Sequence, residues 1–156
     1  MLLVAACALV SCEAEITPAT MPVFRGFDMT FDGEGDIPQP GDIITVTAVQ
    51  TAVGNRIYNA QYDWTMATVV NGKPDTVRWT KKVVYSRNTA NPTVRYQVPA
   101  GNNGYLNVSL YATYDFSTRC TDPVTTIGHD KGNITASSSN LFGRVSGNLF
   151  NIRIGN

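Results

Sequence analysis

Leu106-Asn107-Val108-Ser109-Leu110-Tyr111-Ala112-Thr113-Tyr114-Asp115-Phe116 decides the fold class of this chain. Leu106, Val108, Leu110, Ala112, Tyr114 and Phe116 share one parity. Asn107, Ser109, Tyr111, Thr113 and Asp115 share the other. Successive side chains of an extended strand point to opposite faces, so this alternation predicts a strand with one face in a core and one toward solvent. No segment of the chain shows the three-to-four-residue apolar spacing of an amphipathic helix.

Working outward, the same reading finds further strands. Val23 to Phe31 places Val23, Arg25, Phe27, Met29 and Phe31 together, and Ile43 to Gln50 is rich in β-branched residues. Ala60 to Val70 aligns Tyr62, Trp64, Met66 and Val70. Thr76 to Ser86 aligns Val77, Trp79, Val83 and Tyr85, and Lys81 among them marks an edge-like strand. Thr93 to Val98 and Leu149 to Ile154 complete the main set, with a weaker strand near Asn133 to Ser137. Pro38-Gln39-Pro40-Gly41-Asp42, Val53-Gly54-Asn55, Asn91-Pro92 and Gly101-Asn102-Asn103-Gly104 separate them. Asn71-Gly72 is the strongest hairpin signal, because both residues tolerate positive φ. About seven or eight short antiparallel strands at this spacing predict an all-β sandwich.

Three stretches resemble the PKD-type immunoglobulin-like domains. Gly41-Asp42-Ile43-Ile44-Thr45-Val46-Thr47-Ala48 looks like the start of their second strand. Tyr62-Asp63-Trp64 resembles their Tyr-x-Trp third strand, whose tryptophan sits in the core. Tyr96 to Gly101 followed by Gly104 to Leu110 resembles their late turn and penultimate strand. The resemblance covers roughly Phe31 to Phe116 and implies an immunoglobulin-like, seven-stranded sandwich. The glycine-aspartate-glycine stretch usual after the tryptophan is absent. Ser117 to Ser146 is long, small and polar.

The N-terminus reads as an address. Met1 to Val10 is an apolar run without charge, too short for the roughly 20 residues of a membrane-spanning helix and the right length for a signal peptide. Leu9-Val10-Ser11-Cys12 resembles the lipobox of bacterial lipoproteins, although the basic residue that usually precedes the run is absent. That resemblance implies cleavage before Cys12, acylation of Cys12 and a membrane anchor. Glu13 and Glu15 resemble the surface-export signals of Bacteroidetes lipoproteins. The expected organisation is a signal peptide at 1–11, a Pro- and Thr-containing tether at 12–22 and one β-sandwich domain at 23–156. The expected location is the bacterial outer membrane, on its cell-surface or periplasmic side.

Twelve basic and twelve acidic residues give a net charge of zero, so bulk electrostatics draws the chain to neither nucleic acid nor an anionic membrane. Of three cysteines, the lipobox resemblance implies that Cys7 leaves with the peptide and that Cys12 is acylated, which would leave Cys120 without an intrachain partner.

Three sets of residues are candidates for chemistry. Asp32, Glu34 and Asp36 alternate through a glycine-containing loop, as oxygen ligands of a hard cation do, but Ile37 and Ile43 stand where an EF-hand loop needs glycine and glutamate. His129, the single histidine, can be paired on paper with Cys120, yet nothing in the sequence orients the pair. Tyr111 lies opposite the apolar face of its strand and is the best candidate for an exposed stacking ring. Trp79 is the second. The expectation is therefore a non-catalytic envelope lipoprotein without a cofactor, engaged in binding or adhesion, with glycan capture as one form. The alternative is a structural or accessory subunit that pairs with an envelope protein through an edge such as Thr76 to Ser86 or Leu149 to Ile154.

Overall fold

Asn71 and Gly72 both carry positive φ, 49° and 76°, and join two strands by a two-residue turn with the twist that a tight hairpin requires. The computed structural model describes residues 16–120, 125–127, 133–139 and 141–155. Its strands are β1 (Val23–Phe31), β2 (Ile43–Ala52), β3 (Ile57–Val70), β4 (Lys73–Val84), β5 (Thr93–Gln97), β6 (Asn102–Phe116), β7 (Thr125–Ile127), β8 (Asn133–Ser139) and β9 (Phe142–Arg153). No helix occurs among the described residues.

The strands form two antiparallel sheets, ordered β1-β2-β5 and β4-β3-β6-β9-β8-β7. Strands one, two and five on one sheet and three, six and the last on the other is the immunoglobulin-like division, with β4 added beside β3. Nine strands occur among the described residues against an expected seven or eight; β8 covers the weaker strand expected near Asn133 to Ser137, and β7 adds one more beyond it at the end of the larger sheet.

Strand β6 runs through the middle of that sheet, between β3 and β9. Leu106, Val108, Leu110, Ala112, Tyr114 and Phe116 are all buried against the smaller sheet, as their alternation requires. Fully burying each large apolar side chain contributes roughly 1.5–3 kcal/mol. Trp64 and Met66 of β3 and Ile44 and Val46 of β2 complete the layer. Phe27 sits at its centre, stacked on Phe150 at 5.8 Å and tilted against Trp64 at 6.0 Å.

Toward one end the core turns polar. Tyr114 packs edge-on to Tyr62 and to Tyr85. Tyr85 donates its hydroxyl hydrogen to the Val53 carbonyl and accepts from the Gln50 amide, both at 3.0 Å. Burial pushes the Tyr62 hydroxyl up to about 12 and raises Tyr85 and Tyr114 as well.

Three expectations need correction. The inward set of β1 is Phe24, Phe27, Met29 and Phe31, and Val23 and Arg25 are exposed. A bulge is responsible: Phe24 pairs with Gln50 and Gly26 with Val49, so Arg25 is an extra residue, and Gly26 supplies the φ of 131°. The body also starts before Val23. Ala19, Met21 and Pro22 are buried; Ala19 donates to the Arg119 carbonyl at 3.0 Å, and Thr20 pairs with Asn55. Gly143 leaves room for Met21, whose sulfur lies 2.0 Å from where a Cβ would stand. Finally, Leu149 to Ile154 belongs mostly to β9, which begins at Phe142 and lies between β6 and β8. The sheet edge among the expected pair is therefore β4.

Both sheets share the same two ends. Residues 16–22, the β2–β3 connection, the end of β4 and the end of β6 form the near end. The Asp32–Asp42 loop, the Asn71-Gly72 turn, Gly101 and Gly155 form the far end, tied by Asn71 to Gly101 and Gly155 to Pro38 hydrogen bonds of 2.9 and 2.8 Å.

Candidate ligand-binding face

The residues of β6 that alternate with its buried stripe face outward, and cross-strand pairing builds them into rows. Val84, Asn59, Asp115 and Phe142 form one row across β4, β3, β6 and β9. Lys82, Gln61, Thr113, Arg144 and Ser137 form the next. Thr80, Asp63, Tyr111, Ser146 and Thr135 form the third. Tyr111 is 41% exposed and Phe142 44%, and the Arg144 guanidinium lies 5.9 Å from the Phe142 ring centre. A large aromatic left this open on a regular sheet face withholds area that a core would otherwise bury.

The polar groups around Tyr111 are held in place. Asp63, its neighbour on β3, accepts from the Gln61 amide at 2.9 Å and from the Thr80 hydroxyl. Beside them Asn59, Gln61, Lys82, Thr113 and Asp115 line a depression of about 430 Å³. That volume lies in the range of small-molecule sites, although a sheet face is shallower than a cleft. The face thus combines open rings, two amides, two carboxylates, two cations and several hydroxyls. Those groups can stack on a flat apolar surface and hydrogen-bond to a polyhydroxyl ligand.

Asp63 and Asp115 are four residues of strand rise and one strand apart, about 14 Å. Paired carboxylates that hydrolyse glycosides stand roughly 5–9.5 Å apart, so this pair does not have that geometry.

Trp79 is not on this face. It pairs with Trp64, whose side chain is in the core, and so points between the sheets, where it packs edge-on to Tyr96 at 5.8 Å. Tyr111 and Trp79 occupy opposite faces of one sheet and cannot touch one ligand together. Asp32, Glu34 and Asp36 are exposed. The Asp32 carboxylate accepts from the Ile43 amide at 2.7 Å and closes the loop. No three acidic, histidine or cysteine side chains come together as a metal site among the described residues. Cys120 is buried and bridges to Ala19, which gives it a packing role. Cys12 and His129 lie outside the described residues.

Phe142, Arg144, Lys82, Asn59 and Gln61 were not singled out in the sequence. Alternation assigns each to a face of its own strand, but only the register brings them beside Tyr111. The start of β9 at Phe142 carries no alternation strong enough to be read, since Gly143 and Gly147 stand where apolar side chains would mark the inward face. No protein-family model, curated protein or solved structure matches the chain significantly.

Proposed function

We propose that this chain is a non-catalytic binding module of a bacterial envelope lipoprotein, anchored in the outer membrane through acylated Cys12, that captures a glycan on the outward face of its six-stranded sheet. The observation that carries this reading is Tyr111, half-open at mid-sheet, beside the Arg144–Phe142 pair and the amide-lined depression. A ring of that kind contributes roughly 0.5–1.5 kcal/mol in a stacking contact, by analogy with aromatic pairs, and the surrounding amides and carboxylates supply directional bonds. A single such face binds weakly, and many copies held at a membrane offset that by multivalency.

A glycan array probed with the purified chain, followed by calorimetry, tests this. Tyr111→Ala is expected to weaken the identified glycan about 2- to 12-fold, the equivalent of one stacking contact. Trp79→Ala, on the inward face, is expected to lower stability and to leave the affinity of the remaining folded protein unchanged. A Tyr111→Ala protein that binds every identified glycan as the parent does refutes the face. Anchoring is tested separately: Cys12→Ala is expected to release the protein from membranes or block its processing, and an unmodified mature N-terminus upstream of Cys12 refutes it.

The second reading, pairing with an envelope protein through a sheet edge, has one observation in its favour. β4 is a 12-residue strand with one side of its ladder open, and Val84 at its end is 84% exposed. Pro74, Arg78, Lys81 and Lys82 on the same strand are the residue types that guard edges against such pairing, which ranks this reading second.

A further inference from the structure

The net charge of zero conceals a separation along the long axis of the sandwich. At the far end stand Asp32, Glu34, Asp36, Asp42 and Asp75, against Lys73 and Arg153. At the near end stand Arg56, Arg87 and Arg119, all exposed, and among the described residues Asp115, one residue before the end of β6, is the carboxylate on an adjoining strand end. The single ion pair among the described residues joins Arg25 and Asp28 on β1, so none of the three near-end arginines is neutralised by a described partner. Arg56 and Arg87 line one surface hollow together with Thr17, Asn55 and Ser86. Arg56 holds a φ of 54°, a left-handed conformation that glycine or asparagine adopts far more readily. An arginine kept there at the cost of strain is a candidate for a functional role.

The hollow lies where the chain enters the body. Thr17 lines it, Ala19 is bonded to Arg119 itself, and Thr20 to Asn55 beside Arg56. The first described residues of the chain therefore stand at the basic end. We infer that this end is a membrane-docking surface, in which Arg56, Arg87 and Arg119 pair with phosphates of anionic lipid headgroups while the acidic end points away. The inference shares with the proposed function only the premise that Cys12 is at a membrane. Six residues lie between Cys12 and Ala19, and the seven steps from one to the other span at most about 25 Å, so an anchor at Cys12 keeps the near end close to the bilayer whatever the orientation of the body. The attraction acts over a Debye length of about 8 Å, and the tether supplies the effective concentration that makes it count. Guanidinium groups bind phosphate in a bidentate manner, which suits this role better than lysine would. With the near end down, the strands rise from the membrane and the Tyr111 face looks sideways, open to a ligand.

The test uses the full chain with Cys12→Ser, so that acylation plays no part, in co-sedimentation with phosphatidylcholine vesicles with and without phosphatidylglycerol. The apolar leader contributes alike to both, and the ratio between them is the readout. Binding is expected to be stronger to the anionic vesicles, and high salt is expected to abolish the difference. Combined Arg56→Gln, Arg87→Gln and Arg119→Gln is expected to reduce the difference by about a hundredfold, from about fivefold per basic residue at an anionic surface. A control with Asp32→Asn, Glu34→Gln and Asp36→Asn is expected to leave the ratio unchanged or raise it slightly. Equal binding to both vesicles overturns the inference, and so does a triple-arginine variant that keeps both the β-type circular dichroism and the parent ratio. Duplex DNA bound as tightly as the anionic vesicles overturns the assignment to lipid. Each result is independent of whether Cys12 is acylated in the cell.

Discussion

Gly147 offers the sharpest test of the core packing. It is buried on β9, opposite Leu110, and a Cβ there would stand 2.4 Å from Cζ and 3.0 Å from Cε2 of Phe27. The tip of a flexible side chain could move aside at little cost, but this ring is confined. It is 1% exposed, stacked on Phe150 and tilted against Trp64. Gly147→Ala therefore forces a shift in the central aromatic group, an overpacking cost of roughly 1–3 kcal/mol. Against this, alanine in a strand gains about 0.5–1 kcal/mol over glycine from reduced unfolded-state entropy. The expected net destabilisation is about 1–2 kcal/mol, which lowers the melting temperature by about 2–8 °C at this chain length. Urea unfolding followed by tryptophan fluorescence measures it directly. Phe27→Leu removes the ring atoms that clash, so Gly147→Ala in that background is expected to be neutral or slightly stabilising, a coupling of about 1–3 kcal/mol. A Gly147→Ala protein as stable as the parent, or an equal loss in both backgrounds, refutes the account of Phe27 as a ring locked over a glycine.

Two further outcomes follow from the core. Trp64→Ala is expected to cost about 3–5 kcal/mol in denaturant unfolding, the range for a large aromatic truncated in a packed interior, and a loss below about 1 kcal/mol contradicts its placement beneath Phe27. Tyr62 titrates near 12 in the folded chain and near 10 when unfolded, so the neutral ring favours the folded state. Its contribution is intact below pH 10 and is lost as pH rises through 12, roughly 2–3 kcal/mol over that interval. Tyr62→Phe is expected to flatten the alkaline limb of the stability profile, and an unchanged limb places the alkaline transition elsewhere.

The strip from Leu106 to Phe116 was legible in full, because burial of one sheet face forces a two-residue period and each residue answers to its own position in it. Asn71-Gly72 was legible for a similar reason, since the φ values that a two-residue turn needs are properties of those residues. The inward set of β1 was not. One extra residue at Arg25 reverses the parity of everything before it, and the reason for the bulge lies across the ladder in β2. The length of β9 was equally hidden, because Gly143 and Gly147 face inward to admit Met21 and Phe27 from remote parts of the chain. Tyr111 could be recognised as outward-facing from its strand alone. Its neighbours Asp63, Arg144 and Ser146 come from three distant segments, and register alone assembles them. The same holds for charge. The sequence determines that twelve positive and twelve negative residues cancel. Only the tertiary structure gathers Arg56, Arg87 and Arg119 at the end where the chain enters and the Asp32–Asp36 carboxylates at the other, because strand direction sends residues adjacent in sequence to opposite ends of the molecule and brings distant ones together.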